Sequence, residues 1–142
     1  MNTMPYLFFK GDCAKALAFY EETVGAIISG VMLNKDSPDA ASRMPGPDEM
    51  VMNAFFKIGD TTLMASDSPA DWYEKPQGFR VYLETDNAAE AMRIFNAFAD
   101  GGQIAMPLDK AFWAELFGMV TDKFGTPWMV SFAGNAAYAG AQ

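Results

Sequence analysis

Arg80, Tyr82 and Glu84 stand at alternate positions of the run Phe79 to Glu84, so a strand there turns all three to the same face. A guanidinium keeps its charge at any working pH, and on a semi-apolar surface it requires a carboxylate, phosphate or carbonyl partner. Glu84, farther along the same face, is the obvious internal partner. With Glu84 in water at the rim, Arg80 becomes an anion anchor with Asn53, Tyr82 and Ser131 as hydrogen-bonding company. The same residues outline a carbonyl chemistry, with Tyr82 or Glu84 as the acid-base group and Arg80 facing a developing oxyanion. Elsewhere reactive groups are scarce. There is no histidine, which removes the commonest general base near neutral pH and the commonest transition-metal ligand. Cys13 falls in the first turn of an expected helix, where the dipole lowers a thiol pKa, but it shares the helix's apolar stripe and is read as a small packed hydrophobe. Asp122 and Lys123 precede Phe124-Gly125 and read as turn chemistry, and Glu21-Glu22 as a solvated helix end.

These groups sit in a chain of 142 residues, 51% hydrophobic and 20% charged, which fits one globular domain with a core of its own. Eighteen acids against ten bases give a net charge of −8, the wrong sign for a protein whose main partner is a phosphate backbone. One cysteine makes no internal disulfide. The opening Met-Asn-Thr-Met-Pro lacks a secretory pattern, so a cytoplasmic location is expected. No apolar run approaches the roughly eighteen residues that a transmembrane helix needs, and no membrane partner is expected. Eleven methionines and twelve phenylalanines are a heavy load, suited to core packing and to adaptable binding surfaces.

Two segments carry helical periodicity. Asp12 is the expected cap of a helix with Cys13, Ala16, Leu17, Tyr20 and Val24 on one stripe and Gly25 as its stop. Asn87 with Glu90 resembles a capping box before Ala91, Ile94, Phe95 and Phe98, ended by Gly101-Gly102. Around the first helix lie strand-like runs at Tyr6–Phe9, Ala26–Leu33, Val51–Ile58 and Thr61–Ser66. Around the second lie Phe79–Glu84, Gln103–Met106, Phe117–Asp122 and Trp128–Phe132. The chain therefore repeats one strand-helix-three-strand series, and Leu63-Met64-Ala65-Ser66 is echoed by Trp128-Met129-Val130-Ser131. The expected organisation is a first module over 1–67, a linker over 68–77, a second module over 78–132 and a tail over 133–142. The Pro-rich segment 34–50 reads as a lid or binding loop.

Splitting each strand by alternation gives two kinds of face. Phe79, Val81 and Leu83, Met52 to Ile58 by twos, Leu63 and Ala65, and Trp128, Val130 and Phe132 form the sets that want a helix over them. The opposite face carries Asn53, Phe55, Met64, Ser66, Arg80, Tyr82, Met129 and Ser131, which suits a curved sheet lining a semi-apolar cavity. Trp113 and Phe112 close its mouth or cover the sheet edge.

This doubled series resembles the vicinal oxygen chelate superfamily of glyoxalases, bleomycin-resistance proteins and dioxygenases, and within it the PhnB-like branch. The resemblance rests on Pro5-Tyr6-Leu7-Phe8-Phe9, Ala16-Leu17-Ala18-Phe19-Tyr20, Ile58-Gly59-Asp60 with Leu63-Met64-Ala65-Ser66-Asp67, and Pro107-Leu108-Asp109-Lys110 through Phe112-Trp113 to Phe117-Gly118-Met119-Val120-Thr121-Asp122-Lys123-Phe124-Gly125 and Trp128. It implies an α+β fold of two βαβββ modules whose curved mixed sheets surround a cavity, in a homodimer. It also implies a divalent metal held on four strands. The corresponding positions here are Pro5 or Tyr6, Met64, Arg80 and Met129, and the branch's third-strand histidine is Asn53, so no metal and no cofactor are expected. A demethylubiquinone methyltransferase label attached to some relatives would need a glycine-rich nucleotide turn. Gly11-Asp12 and Gly101-Gly102 read instead as caps and turns.

The functional expectation is a metal-independent binder of a small anionic or polar organic compound, through Asn53, Phe55, Met64, Ser66, Arg80, Tyr82, Trp113, Met129 and Ser131. Two alternatives stand beside it. One is a resistance-type protein that sequesters a cationic antibiotic by its negative charge; the other is a lyase or isomerase for a small carbonyl compound, using Tyr82 or Glu84.

Overall fold

Glycine and hydrophobic patterning divide the chain into two series of the same order. The first is β1 (Tyr6–Phe9), α1 (Cys13–Val24), β2 (Ile27–Leu33), β3 (Val51–Ile58) and β4 (Thr61–Asp67). The second is β5 (Val81–Glu84), α2 (Ala88–Ala99), β6 (Gln103–Ala111), β7 (Ala114–Thr121) and β8 (Pro127–Phe132). The computed structural model describes residues 1–136, so the last six residues of the expected tail, 137–142, lie outside the described residues. The chain separates into two compact units, Met1–Glu74 and Lys75 onward. Each holds one four-stranded mixed sheet, ordered β1-β4-β3-β2 in the first and β5-β8-β7-β6 in the second, and the fold is α+β. Among the described residues no helix is long and apolar enough to cross a membrane.

In both units the first strand runs parallel to the last, Tyr6 opposite Met64 and Tyr82 opposite Met129, while the other pairs are antiparallel. The parallel pair requires a crossover, and the helix supplies it. In the first unit, Leu17 and Tyr20 of α1 are buried, and the Tyr20 ring lies 6.4 Å from Phe9 and 6.2 Å from Phe56. In the second, Phe98 of α2 stacks on the fully buried Trp128 at 4.5 Å. There α2 approaches the sheet so closely that a Cβ on Gly118 would lie 2.7 Å from Phe95 Cε2.

The structure departs from the sequence expectation at several ends. Asp12 makes no side-chain cap; the carboxylate of Asp67, at the end of β4, accepts the Cys13 N–H at 2.8 Å and so caps α1 from across the sheet. Asn87 does cap α2, accepting the Glu90 N–H at 3.0 Å, but the Glu90 carboxylate turns to Arg93 instead of closing the box. Strand β6 runs on through Pro107 to Ala111, because an edge strand can spare the N–H that proline lacks. Strand β5 starts only at Val81, so Phe79, assigned to the covered set, precedes the sheet and is half exposed. The long segment 34–50 contains two single turns of 3-10 helix, Asn34–Asp36 and Ala40–Ser42. It folds around the buried Asn34, whose amide donates to Met44 O at 2.8 Å and accepts the Met44 N–H at 2.9 Å.

Asp67 also accepts the Val51 N–H at 2.9 Å, so one buried carboxylate fixes the starts of both α1 and β3. A second buried carboxylate, Asp122 after β7 in the other unit, accepts the N–H groups of Phe124 and Thr126 and the indole Nε1–H of Trp128. Asp122 is thus turn chemistry, as expected, and also the polar partner of the core tryptophan. Replacing Asp67 by alanine leaves two buried amides without their acceptor. Asp67→Ala is expected to lower the unfolding free energy by about 2–4 kcal/mol, read from the urea midpoint. An unchanged midpoint would show that these amides find another acceptor.

Candidate functional site

The helix-free face of the second unit contains a cleft of about 630 Å³, lined entirely by residues from Lys75 onward. Among the described residues its charged lining groups are Lys75 and Arg80, with no carboxylate. Met119 and Met129, directly opposite each other on β7 and β8, supply apolar surface, and Gln103 and Thr121 supply polar groups beside it.

Arg80 is half buried and precedes β5. Its Nη1 donates to the main-chain carbonyls of Val120 and Trp128, both at 3.4 Å, which is long for a hydrogen bond. The expected ion pair with Glu84 is absent. Four residues along a strand separate two backbone positions by about 13 Å, and Glu84 lies at the far end of β5, where it lines a different cleft with Asp86. Alternation put the two on one face; distance along the strand kept them apart.

The other proposed contacts of this unit divide. Met129 joins Arg80 in the cleft. Tyr82 stands opposite Met129 on the neighbouring strand, 52% exposed. Ser131 is buried to 1%, between Glu84 and Phe117 in the sheet register, and offers no accessible hydroxyl. Trp113, at the tip of the β6–β7 hairpin, packs edge-on against Phe117 at 5.2 Å and Phe112 at 4.7 Å.

The first unit gathers the remaining four on its own helix-free face. Asn53 Oδ1 accepts the Tyr6 hydroxyl hydrogen at 3.3 Å; Phe55 is opposite Met64, and Met64 is opposite Tyr6. Ser66 is buried opposite the half-exposed Phe8, whose ring lies 4.8 Å from Tyr6. The registers superimpose: Tyr6, Phe55 and Met64 occupy the places that Tyr82, Met119 and Met129 hold in the second unit, while Phe117 replaces Asn53.

Sequence reasoning named Tyr6 only as a possible metal-ligand position and missed Phe8, although the alternation in Tyr6-Leu7-Phe8-Phe9 exposes the first and third once Leu7 and Phe9 are known to be buried. Met119 was readable in the same way, from its place between Gly118 and Val120. Lys75 and Gln77 lie in an irregular segment, where no period indicates direction.

The divalent metal that the resemblance implies does not fit these residues. Its four strand positions offer a phenol engaged with Asn53, two thioethers and a guanidinium, and a guanidinium repels a cation. Among the described residues no three His, Cys, Asp or Glu side chains come together as a ligand set.

A family model described as the Glyoxalase/Bleomycin resistance protein/Dioxygenase superfamily matches residues 5–130. The Escherichia coli protein YjdN is 36% identical over 139 residues, spanning 92% of this chain and 95% of its own. The crystal structure of PA1353 from Pseudomonas aeruginosa is similar at 38% identity with a TM-score of 0.84, covering 95% of this chain and 99% of its own. A Bacillus cereus PhnB protein shares the fold at 24% identity and a TM-score of 0.78, over 94% of this chain and all of its own.

Cys13, the remaining nucleophile candidate, is fully buried, and burial together with the neighbouring Asp67 carboxylate pushes its thiol far above the ordinary range. The folded protein is expected to resist thiol reagents at pH 8 and to react fully in denaturant. Labelling of the folded protein at the rate of a free thiol would disprove this burial.

Proposed function

The chain belongs to the glyoxalase/bleomycin resistance protein/dioxygenase superfamily, and from that premise we propose that it binds a small organic anion in the cleft of its second unit, with Arg80 as anchor and no metal ion. The observation that carries this reading is the charge of the cleft. A chain with eighteen acids and ten bases lines it with two cations and no carboxylate. A half-buried guanidinium with two long carbonyl contacts is under-satisfied, and an incoming oxyanion completes it.

The same feature weighs against sequestration of a cationic drug there. A FosX fosfomycin resistance protein from Listeria monocytogenes shares the fold, with a TM-score of 0.65 at 13% identity, which carries the architecture and not the ligand. The lyase or isomerase reading loses Glu84, which lines a different cleft from Arg80, and is left with Tyr82 opposite Met129 as its acid-base group. A homodimer and a cytoplasmic setting belong to the proposal; the half-exposed Phe8, Phe79 and Tyr82 are apolar surface that a second copy would cover.

A thermal-shift series with organic anions, organic cations and divalent metals tests the reading. A ligand at a hundredfold excess over its Kd stabilises the folded state by about 2.7 kcal/mol. Anions are expected to raise Tm saturably, EDTA to leave it unchanged, and Arg80→Gln to weaken anion binding at least tenfold, about 1.4 kcal/mol. Stabilisation by metals or organic cations alone, or anion binding indifferent to Arg80→Gln, would overturn it.

A further inference from the structure

The way Arg80 is held restricts which anions it can receive. Its Nη1 is turned toward the carbonyls of Val120 and Trp128, two residues paired across β7 and β8, so one corner of the guanidinium is committed to the sheet's main chain. The Nε and Nη2 groups have no protein acceptor among the described residues. Those two N–H groups form one edge of the planar fork, and that edge matches the two oxygens of a carboxylate in a single plane.

Beside the fork the cleft offers the Met119–Met129 pair, thioether side chains on directly opposed positions of adjacent strands, with Ile104 also in the lining. Methionine surfaces adapt to flexible apolar chains. The second cation, Lys75, is exposed, where it adds attraction without shape. A volume of about 630 Å³ is ample for a ligand of several carbons beyond its charged group.

We infer that the second unit's cleft selects a monocarboxylate with an apolar tail, the carboxylate paired side-on with the Nε–Nη2 edge of Arg80 and the tail lying over Met119 and Met129. This rests on the anion-binding reading and goes beyond it by fixing head-group shape and tail. A sulfonate spreads the same single charge over three oxygens arranged pyramidally about sulfur and matches one planar fork edge less well. A short carboxylate such as acetate fills the fork and leaves the methionines uncovered.

Isothermal titration of the full chain with acetate, hexanoate, pentanesulfonate and pentylammonium, the last three with equal tails, reads the two requirements separately. Each fully buried methylene multiplies affinity by roughly fourfold, so burial of two of hexanoate's four additional methylenes suffices for a tenfold gain over acetate. Hexanoate is expected to bind at least tenfold tighter than acetate and severalfold tighter than pentanesulfonate, and pentylammonium not to bind. Arg80→Lys, which keeps the charge and removes the fork, is expected to bind hexanoate and pentanesulfonate alike. Circular dichroism of Arg80→Lys and Arg80→Gln verifies that both variants are folded.

Pentanesulfonate, whose tail equals that of hexanoate, equal to or tighter than hexanoate in the native chain, with both lost in Arg80→Gln, would overturn the carboxylate inference and leave the anion-binding reading standing. Acetate as tight as hexanoate would overturn the tail. Anion binding that survives Arg80→Gln unchanged, or none to any of the three anions, would remove both the inference and the reading beneath it.

Discussion

One helix cannot cover both faces of a four-stranded sheet. Each unit spends its single helix as the crossover that lets the first strand run parallel to the last, and the helix packs on the face carrying Phe56 and Ala65 or Trp128 and Val130. The opposite face is left with Phe55 and Met64, or Met119 and Met129, at partial exposure. Apolar surface left in this position invites a ligand or a partner, and the residues interspersed with it determine which.

Burial of two carboxylates makes each unit's geometry specific. Asp67 gathers the starts of α1 and β3, and Asp122 gathers a tight turn and the indole of Trp128. A buried carboxylate is costly unless donors surround it, so each of these acids is stable only in the arrangement that brings those N–H groups together. Burial first, and then the same acid that organises the first unit, raise the Cys13 thiol and keep it chemically quiet. Acidic side chains in this protein therefore serve as scaffold and as solvated surface, while the cleft of the second unit is lined by cations alone among charged groups.

The two halves diverge where chemistry would be expected to differ. In the first, Tyr6 is engaged by Asn53; in the second, Phe117 occupies Asn53's place, leaving Tyr82 exposed beside Met129. Ahead of the second unit's first strand stands Arg80, where the register of the first unit has Met4. One backbone plan thus carries a neutral aromatic surface in one copy and a cationic cleft in the other. In a superfamily whose resemblance implies a metal ion, a positive charge supplied by a side chain is an economical way to receive an oxyanion.

The repeat, both helices, the eight strands and the assignment of faces were legible in the amino-acid order, because alternation and three-to-four spacing are local properties of the backbone. The covered set was readable to the residue at Ala54, Phe56, Leu63, Ala65, Leu83, Trp128 and Val130, was only half met at Met52, Ile58, Val81 and Phe132, which are partly exposed, and failed at Phe79 because β5 begins two residues later. Partnership was not legible. Asp67 rather than Asp12 caps α1, Arg80 reaches Val120 and Trp128 rather than Glu84, Ser131 is sealed in, and Lys75 joins the cleft from an irregular segment. Periodicity states which way a side chain faces. What it meets there depends on distance along the strand and on residues far away in sequence, and only the assembled sheet sets both.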